Sequence, residues 1–201
     1  MKRYLIIICL ICASCTSLRY KPVKDYRSDF FKAQLNKVTS LYWKGSIMIE
    51  TNKKRLKGSI LVVAKRSPLL IRAEISNWLG GTFAIVFIKG EQFIFISTKE
   101  NIAYVGNIPE EIKDQLWSFV RAIPLFSKKT TLKKLKIEYK NYVMVKDTAF
   151  ARQLCVYSSD SSFWLRIKIK EADFNISIPS ELFTVNIPSG FKLLRYQVPI
   201  L

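Results

Sequence analysis

The chain has 201 residues, with 33 Lys and Arg against 15 Asp and Glu, no histidine, and a net charge of +18. That length is one domain's worth of material, and 49% hydrophobic residues suffice for a real core. The absence of histidine excludes histidine general bases, Ser-His-Asp triads and histidine-ligated metal sites.

Residues 1–15 open with the basic pair Lys2–Arg3, continue through an apolar run from Tyr4 to Ile11, and close on small Ala13 and Ser14 before Cys15. A basic head, a short apolar run and a small-residue cleavage site form a secretory signal. The run is too short to span a bilayer, which takes about 20 residues. With cysteine directly after the small pair, the segment resembles a bacterial lipoprotein signal, although Cys12 stands where that pattern prefers leucine. The resemblance implies that residues 1–14 are removed and that Cys15 is acylated, by palmitate or a similar chain. Thr16, rather than aspartate, then implies the outer membrane. Export turns the charge, about +16 without Lys2 and Arg3, away from nucleic acid and towards anionic lipid or another acidic envelope partner.

Residues 15–26 read as the acylated cysteine and a polar tether with Pro22, and 27–201 as the domain. Phe30, Phe31, Leu35 and Val38 fall near helical spacing within 27–39. Strands are predicted at Leu41–Glu50, Leu56–Lys65, Leu69–Ser76, Thr82–Ile88, Gln92–Ser97 and Ile102–Val105. The short turns between them imply an antiparallel meander. Ile60–Val63, Phe83–Ile88 and Phe93–Ile96 are apolar on both sides, so both faces need cover: helices on one, an apolar interior enclosed by curling on the other.

Pro109, Glu110 and Glu111 mark a helix start, with the acids at the positive end of the helix dipole. Ile112, Leu116, Phe119, Val120 and Ile123 then share one helical face, and Pro124 stops it. Six lysines in 128–140 suggest a solvated segment. Strands follow at Tyr142–Lys146, Ala151–Tyr157 and Phe163–Lys170, and Phe174–Ile178 and Leu193–Val198 could extend the sheet. In the third of these, Leu165, Ile167 and Ile169 oppose Arg166, Lys168 and Lys170, the pattern of a strand wet on one face. Cys155 is left as a lone thiol in a strand, where a small core hydrophobe is the simplest role.

Three stretches carry a further resemblance: Trp43-Lys44-Gly45-Ser46-Ile47, Arg72 to Thr82 with Asn77-Trp78-Leu79-Gly80-Gly81 at its centre, and Phe183 to Phe191. Together with the order of elements they resemble the bacterial lipoprotein carrier and receptor family, LolA and LolB, over roughly 27–200. The resemblance implies a mainly β, α+β fold. Its strongly curved antiparallel sheet forms an open half-barrel, with helices covering the concave apolar face. It implies an apolar cavity for the acyl chains of lipids or lipoproteins, lined from this sequence by Trp43, Ile47, Ile60, Val62, Phe83, Ile85, Phe93, Phe95, Trp117 and Phe119. Trp78 and Leu79 match the family's membrane-insertion loop. The function implied is a LolB-like receptor: a monomer anchored in the outer membrane and facing the periplasm, taking cargo from a periplasmic carrier protein, with no cofactor, metal or catalytic residue.

Two other readings stand beside it. One is a structural or sensing lipoprotein on the same scaffold, binding a protein or an anionic envelope partner through Lys128, Lys129, Lys133 and Lys134. The other is a hydrolase using Glu110 and Glu111, for which a capping role in a helix first turn is sufficient explanation.

Overall fold

The computed structural model describes residues 21–22, 28–52, 54–123, 135–160 and 162–195. Cys15, Thr16, Pro124 and Lys128, Lys129, Lys133 and Lys134 lie outside them. So does the whole of 1–14.

Alternating apolar residues, punctuated by polar turns, give the strands. They are β1 (Lys21–Pro22), β2 (Ser40–Thr51), β3 (Arg55–Lys65), β4 (Leu70–Ser76), β5 (Thr82–Lys89), β6 (Gln92–Ser97), β7 (Ile102–Asn107), β8 (Leu135–Val145), β9 (Thr148–Ser158), β10 (Phe163–Phe174) and β11 (Lys192–Arg195). The helices are α1 (Ser28–Lys37) and α2 (Glu110–Arg121). The strands form one unclosed sheet in the order β1-β8-β9-β10-β2-β3-β4-β5-β6-β7-β11.

The sheet is mixed, because β11 runs parallel to β7. Of Phe174–Ile178 only Phe174 belongs to the sheet: Asn175 turns the chain at φ 56° and the strand ends. β8 begins at Leu135, seven residues before the predicted start, because Leu135, Ile137 and Tyr139 alternate with Lys136, Glu138 and Lys140 inside the lysine-rich stretch. Lys21 and Pro22, read as tether, pair with Met144 and Val143.

One face of the sheet, the first, carries Leu41, Trp43 and Ile47 of β2, Ile60, Val62 and Ala64 of β3, and Ile167 and Ile169 of β10. Trp117, Val120 and Ile123 from α2 and its end, and Phe31 from α1, complete that core. The Trp43 indole N–H donates to the Val120 carbonyl at 2.7 Å, and the Ala151 N–H to the Ala122 carbonyl at 2.8 Å. Ala122 ends α2 in the left-handed region at φ 56°. Gly45 has a steric reason to be glycine: a Cβ there would lie 2.2 Å from the Lys168 carbonyl oxygen, just before β10 bulges between Ile169 and Glu171.

The second face is not enclosed by curling. Over β3–β7 it is covered by the irregular strap 176–191. Ile178 and Phe183 pack with Val63, and Val185, Ile187 and Phe191 pack against Phe87, Ile96 and Ala103. Arg72 on β4 ties the strap down: one guanidinium N–H donates to the Leu182 carbonyl at 2.9 Å, while Nε donates to Glu74 Oε1 at 2.7 Å.

Candidate functional site

The predicted lining residues do not share one cavity. Trp43, Ile47, Ile60, Val62 and Trp117 are fully packed core on the first face, because α2 seats Trp117 among them. Phe83, Phe93, Phe95 and Phe119 are half-buried. Ile85 points the other way, into the second-face cluster of Phe87, Ile96 and Ala103, as strand alternation demands of an odd position on β5. Phe83 is the extra residue at the irregularity where Ile75 pairs with Ala84 and Ser76 with Thr82. Its ring comes within 3.4 Å of where a Cβ of Gly58 would stand.

An apolar pocket of about 260 Å³ does exist on the first face, displaced from that set. It lies between α2 and the strands β8, β9 and β10. Ile112, Gln115, Leu116, Ser118 and Phe119 line it from the helix, and Ile137, Tyr139, Val156 and Leu165 from the sheet. Of the predicted residues only Phe119 lines it. Ile112 and Leu116 belong to the helical face read from sequence. Ile137 and Tyr139 were missed inside the lysine-rich stretch, where their alternation with charged residues was the available signal.

Polar groups sit at the margin of this pocket. Burial raises the Tyr139 phenol above its ordinary value, with the neighbouring Ser118 hydroxyl working in the opposite direction. Arg121 is buried at 3% exposure; its Nε donates to the Trp117 carbonyl at 3.1 Å and its guanidinium lies over the Trp117 ring. Burial first, and Arg66 second, press its pKa down to about 9, so it keeps its charge at neutral pH. Lys113 joins α2 to the β5–β6 turn, pairing with Glu110 and lying 3.4 Å from Glu91. Glu110 is therefore engaged in an ion pair of the first helical turn.

The Trp78–Leu79 loop is a separate feature at the end of the sheet. Asn77 builds it. Its Oδ1 accepts from the Leu79 N–H at 2.9 Å and the Gly81 N–H at 3.0 Å, while its own N–H donates to the Gly81 carbonyl. Gly80 supplies the positive φ of 88° that closes the turn. Trp78 is 86% exposed and Leu79 72%, the most exposed large apolar side chains among the described residues. The arrangement holds two apolar side chains out in water on a hydrogen-bonded frame. Cys155 is buried, but on the second face beside Glu138 and Arg166 and outside the core clusters. Among the described residues no helix is long and apolar enough to cross a membrane.

No protein-family model and no curated protein matches the sequence. Solved structures do. A LolA superfamily protein from Nitrosomonas europaea superposes with a TM-score of 0.51 at 8% identity, over 80% of this chain and 99% of that one. A domain from Vibrio parahaemolyticus named for outer membrane lipoprotein sorting gives 0.49 at 5% identity, over 78% and 95%. The Mycobacterium tuberculosis lipoprotein LppX gives 0.33 at 8% identity, over 75% and 95%. At such identities the likeness concerns the backbone alone, and by it the chain has a LolA/LolB-like fold.

Proposed function

We propose that this domain binds acyl chains of lipids or lipoproteins between α2 and the sheet, and passes them to the outer membrane through the Trp78–Leu79 loop, as a LolB-like receptor acting by transfer without catalysis. The observation that carries the reading is the apolar pocket under α2. At about 260 Å³ it lies just below the roughly 300–1,000 Å³ of ordinary ligand sites. A whole acyl chain therefore needs it to widen. The anchors of α2 allow this: Trp43 and Ala151 hold its C-terminal end and Lys113 its start, while the pocket side presents mostly apolar contacts. Parting those surfaces around an acyl chain exchanges one apolar contact for another. The half-barrel curvature implied by the resemblance would let the sheet follow the helix.

Burying acyl chains stabilises a complex by about 0.8 kcal/mol per methylene, so release needs an accepting membrane. Trp78 suits the interface between headgroups and hydrocarbon, and Leu79 the hydrocarbon itself. Acylation at Cys15 would keep this tip near its target bilayer.

The test uses the full chain carrying Cys15→Ser, so that no acyl group of its own intervenes, and a fluorescent fatty acid as probe. Leu116→Trp should fill the pocket and abolish probe binding with an unchanged melting temperature. Leu79→Glu should keep probe binding and lose delivery to vesicles. Binding that survives Leu116→Trp sinks the pocket assignment, and delivery that survives Leu79→Glu sinks the loop.

A further inference from the structure

Among the described residues, no strap covers the second face over β8, β9, β10, β2 and the start of β3. The register lays out its side chains in three rows. Nearest the Trp78 end of the sheet run Lys136, Tyr157, Trp164, Glu50 and Arg55; next come Glu138, Cys155, Arg166, Met48 and Lys57; then Lys140, Gln153, Lys168, Ser46 and Ser59. Six cations thus share the surface with two carboxylates. Glu138 is taken by Lys136 at 3.1 Å and Lys140 at 2.7 Å, and Glu50 lies 3.9 Å from Arg55. Lys57, Arg166 and Lys168 face no carboxylate within ion-pair range among the described residues. Arg166 instead lies over the Trp164 ring at 5.2 Å.

Beside the third row the surface dips. β10 bulges after Ile169, and β8 takes a positive φ of 58° at Asn141 without losing register, on either side of β9. Between them lies a depression of about 530 Å³, bordered by Asn141, Arg152, Gln153 and Lys168. Arg152 and Lys168 bring two cations to its rim, and Tyr142, Val143 and Ile169 line the rest.

We propose that this bare face is a docking surface for anionic phospholipid headgroups. Charge complementarity selects an anion. The shape selects a surface over a single extended chain: five adjacent strands spaced about 4.8 Å apart make a broad sheet face, with one local dip rather than a continuous groove. Trp164 and Tyr157 stand in the row nearest the end that also carries the Trp78 loop, and such amphipathic rings settle at headgroup depth. Charges act within a Debye length, about 8 Å at physiological ionic strength, so the exposed stems of Lys57 and Lys168 must approach the headgroups closely. The dip beside Lys168 would admit a headgroup phosphate. Bound this way, the domain leans on its cationic face, with the loop end towards the bilayer. The inference does not require cargo binding or transfer.

The experiment is co-sedimentation of the full chain carrying Cys15→Ser with phosphatidylcholine vesicles, with and without phosphatidylglycerol. Binding should rise with phosphatidylglycerol and fall with added salt. Joint replacement Lys57→Gln, Arg166→Gln and Lys168→Gln should weaken the phosphatidylglycerol-dependent part about 100-fold, as three charges near an anionic surface imply. Unchanged binding of the fatty-acid probe in that variant would show that the pocket is intact. Equal binding to neutral vesicles, full binding by the triple variant, or binding of soluble polyphosphate with none to vesicles would each overturn the proposal. Trp78→Ser with Leu79→Ser should leave the phosphatidylglycerol dependence in place, which separates this surface from the transfer loop.

Discussion

The two halves of the second face solve opposite problems. Over β3–β7 the strands are apolar on both sides, and the strap 176–191 covers what would otherwise be wet hydrocarbon. Over β8–β10 the outward positions mix Lys, Arg and Glu with Tyr157, Cys155, Gln153 and Trp164, and no segment among the described residues lies across them. The covered half gains its energy from buried area, with Phe183 at 7% exposure and Arg72 holding the strap by a backbone carbonyl. The bare half is held from the other side, by the first-face core, and its outward charges meet one another, solvent and a few neighbours on the same face such as Trp164, Tyr157 and Met48. Stability should therefore respond strongly to the strap and weakly to the cations.

The severest test of this contrast is Phe183→Ala. The ring packs with Val63, Ile178 and Leu70, and Lys65 lies over it. Its loss should cost about 3–5 kcal/mol, the usual range for a buried phenylalanine. Urea unfolding measures this directly. A cost below about 1 kcal/mol would mean that the strap is a loose cover and that the sheet tolerates a wet apolar face.

A smaller effect should come from the bare half, through acid. Lys140 first, then Tyr157 and Lys136, hold the Glu138 carboxyl down from 4.5 to about 2. The Tyr157 hydroxyl donates to it at 2.6 Å. A carboxylate whose folded value lies below its unfolded one adds stability that is complete above about pH 4.5 and lost as pH falls towards 2. The group is 28% exposed, so about 1 kcal/mol is the expected size once solvent screening is allowed for. Glu138→Gln should flatten the dependence of stability on pH in that window. A wild-type acid limb that persists in this variant would place the titrating group elsewhere.

How much of this was legible in the sequence depends on which signal each residue carried. The meander from β2 to β7 could be read because turns such as Lys89-Gly90-Glu91 punctuate clean alternation. The Trp78–Leu79 loop could be read because Gly80 and Gly81 follow two large apolar residues. The strap could not: Ile176, Ile178, Val185 and Ile187 also alternate, and only their tertiary packing decides between a strand and a cover. The same ambiguity misassigned Ile85, since a strand apolar on both sides gives no clue to which side faces the helix. β8 was missed at its start because charge density in 128–140 masked Leu135, Ile137 and Tyr139. That miss hid the pocket, two of whose lining residues lie there.

The smallest expected effect is the one that gives the comparison its functional meaning. Lys57→Gln, Arg166→Gln and Lys168→Gln together remove three cations that have no acidic partner among the described residues. The Arg166 contact with Trp164 and some longer-range attraction to Glu50 are lost, while repulsion with Lys136, Lys140 and Arg55 is relieved. Surface substitutions of this kind stay within about 0.5 kcal/mol each, and here the electrostatic part favours the variant. Thermal unfolding should therefore show a melting temperature equal to or above that of the wild type, with the gain largest at low salt. A clear loss of stability would mean that the cations brace the fold and that their clustering needs no ligand to explain it. A stable variant makes the cluster a cost to the isolated domain, the expected sign for charges kept to meet an anionic surface.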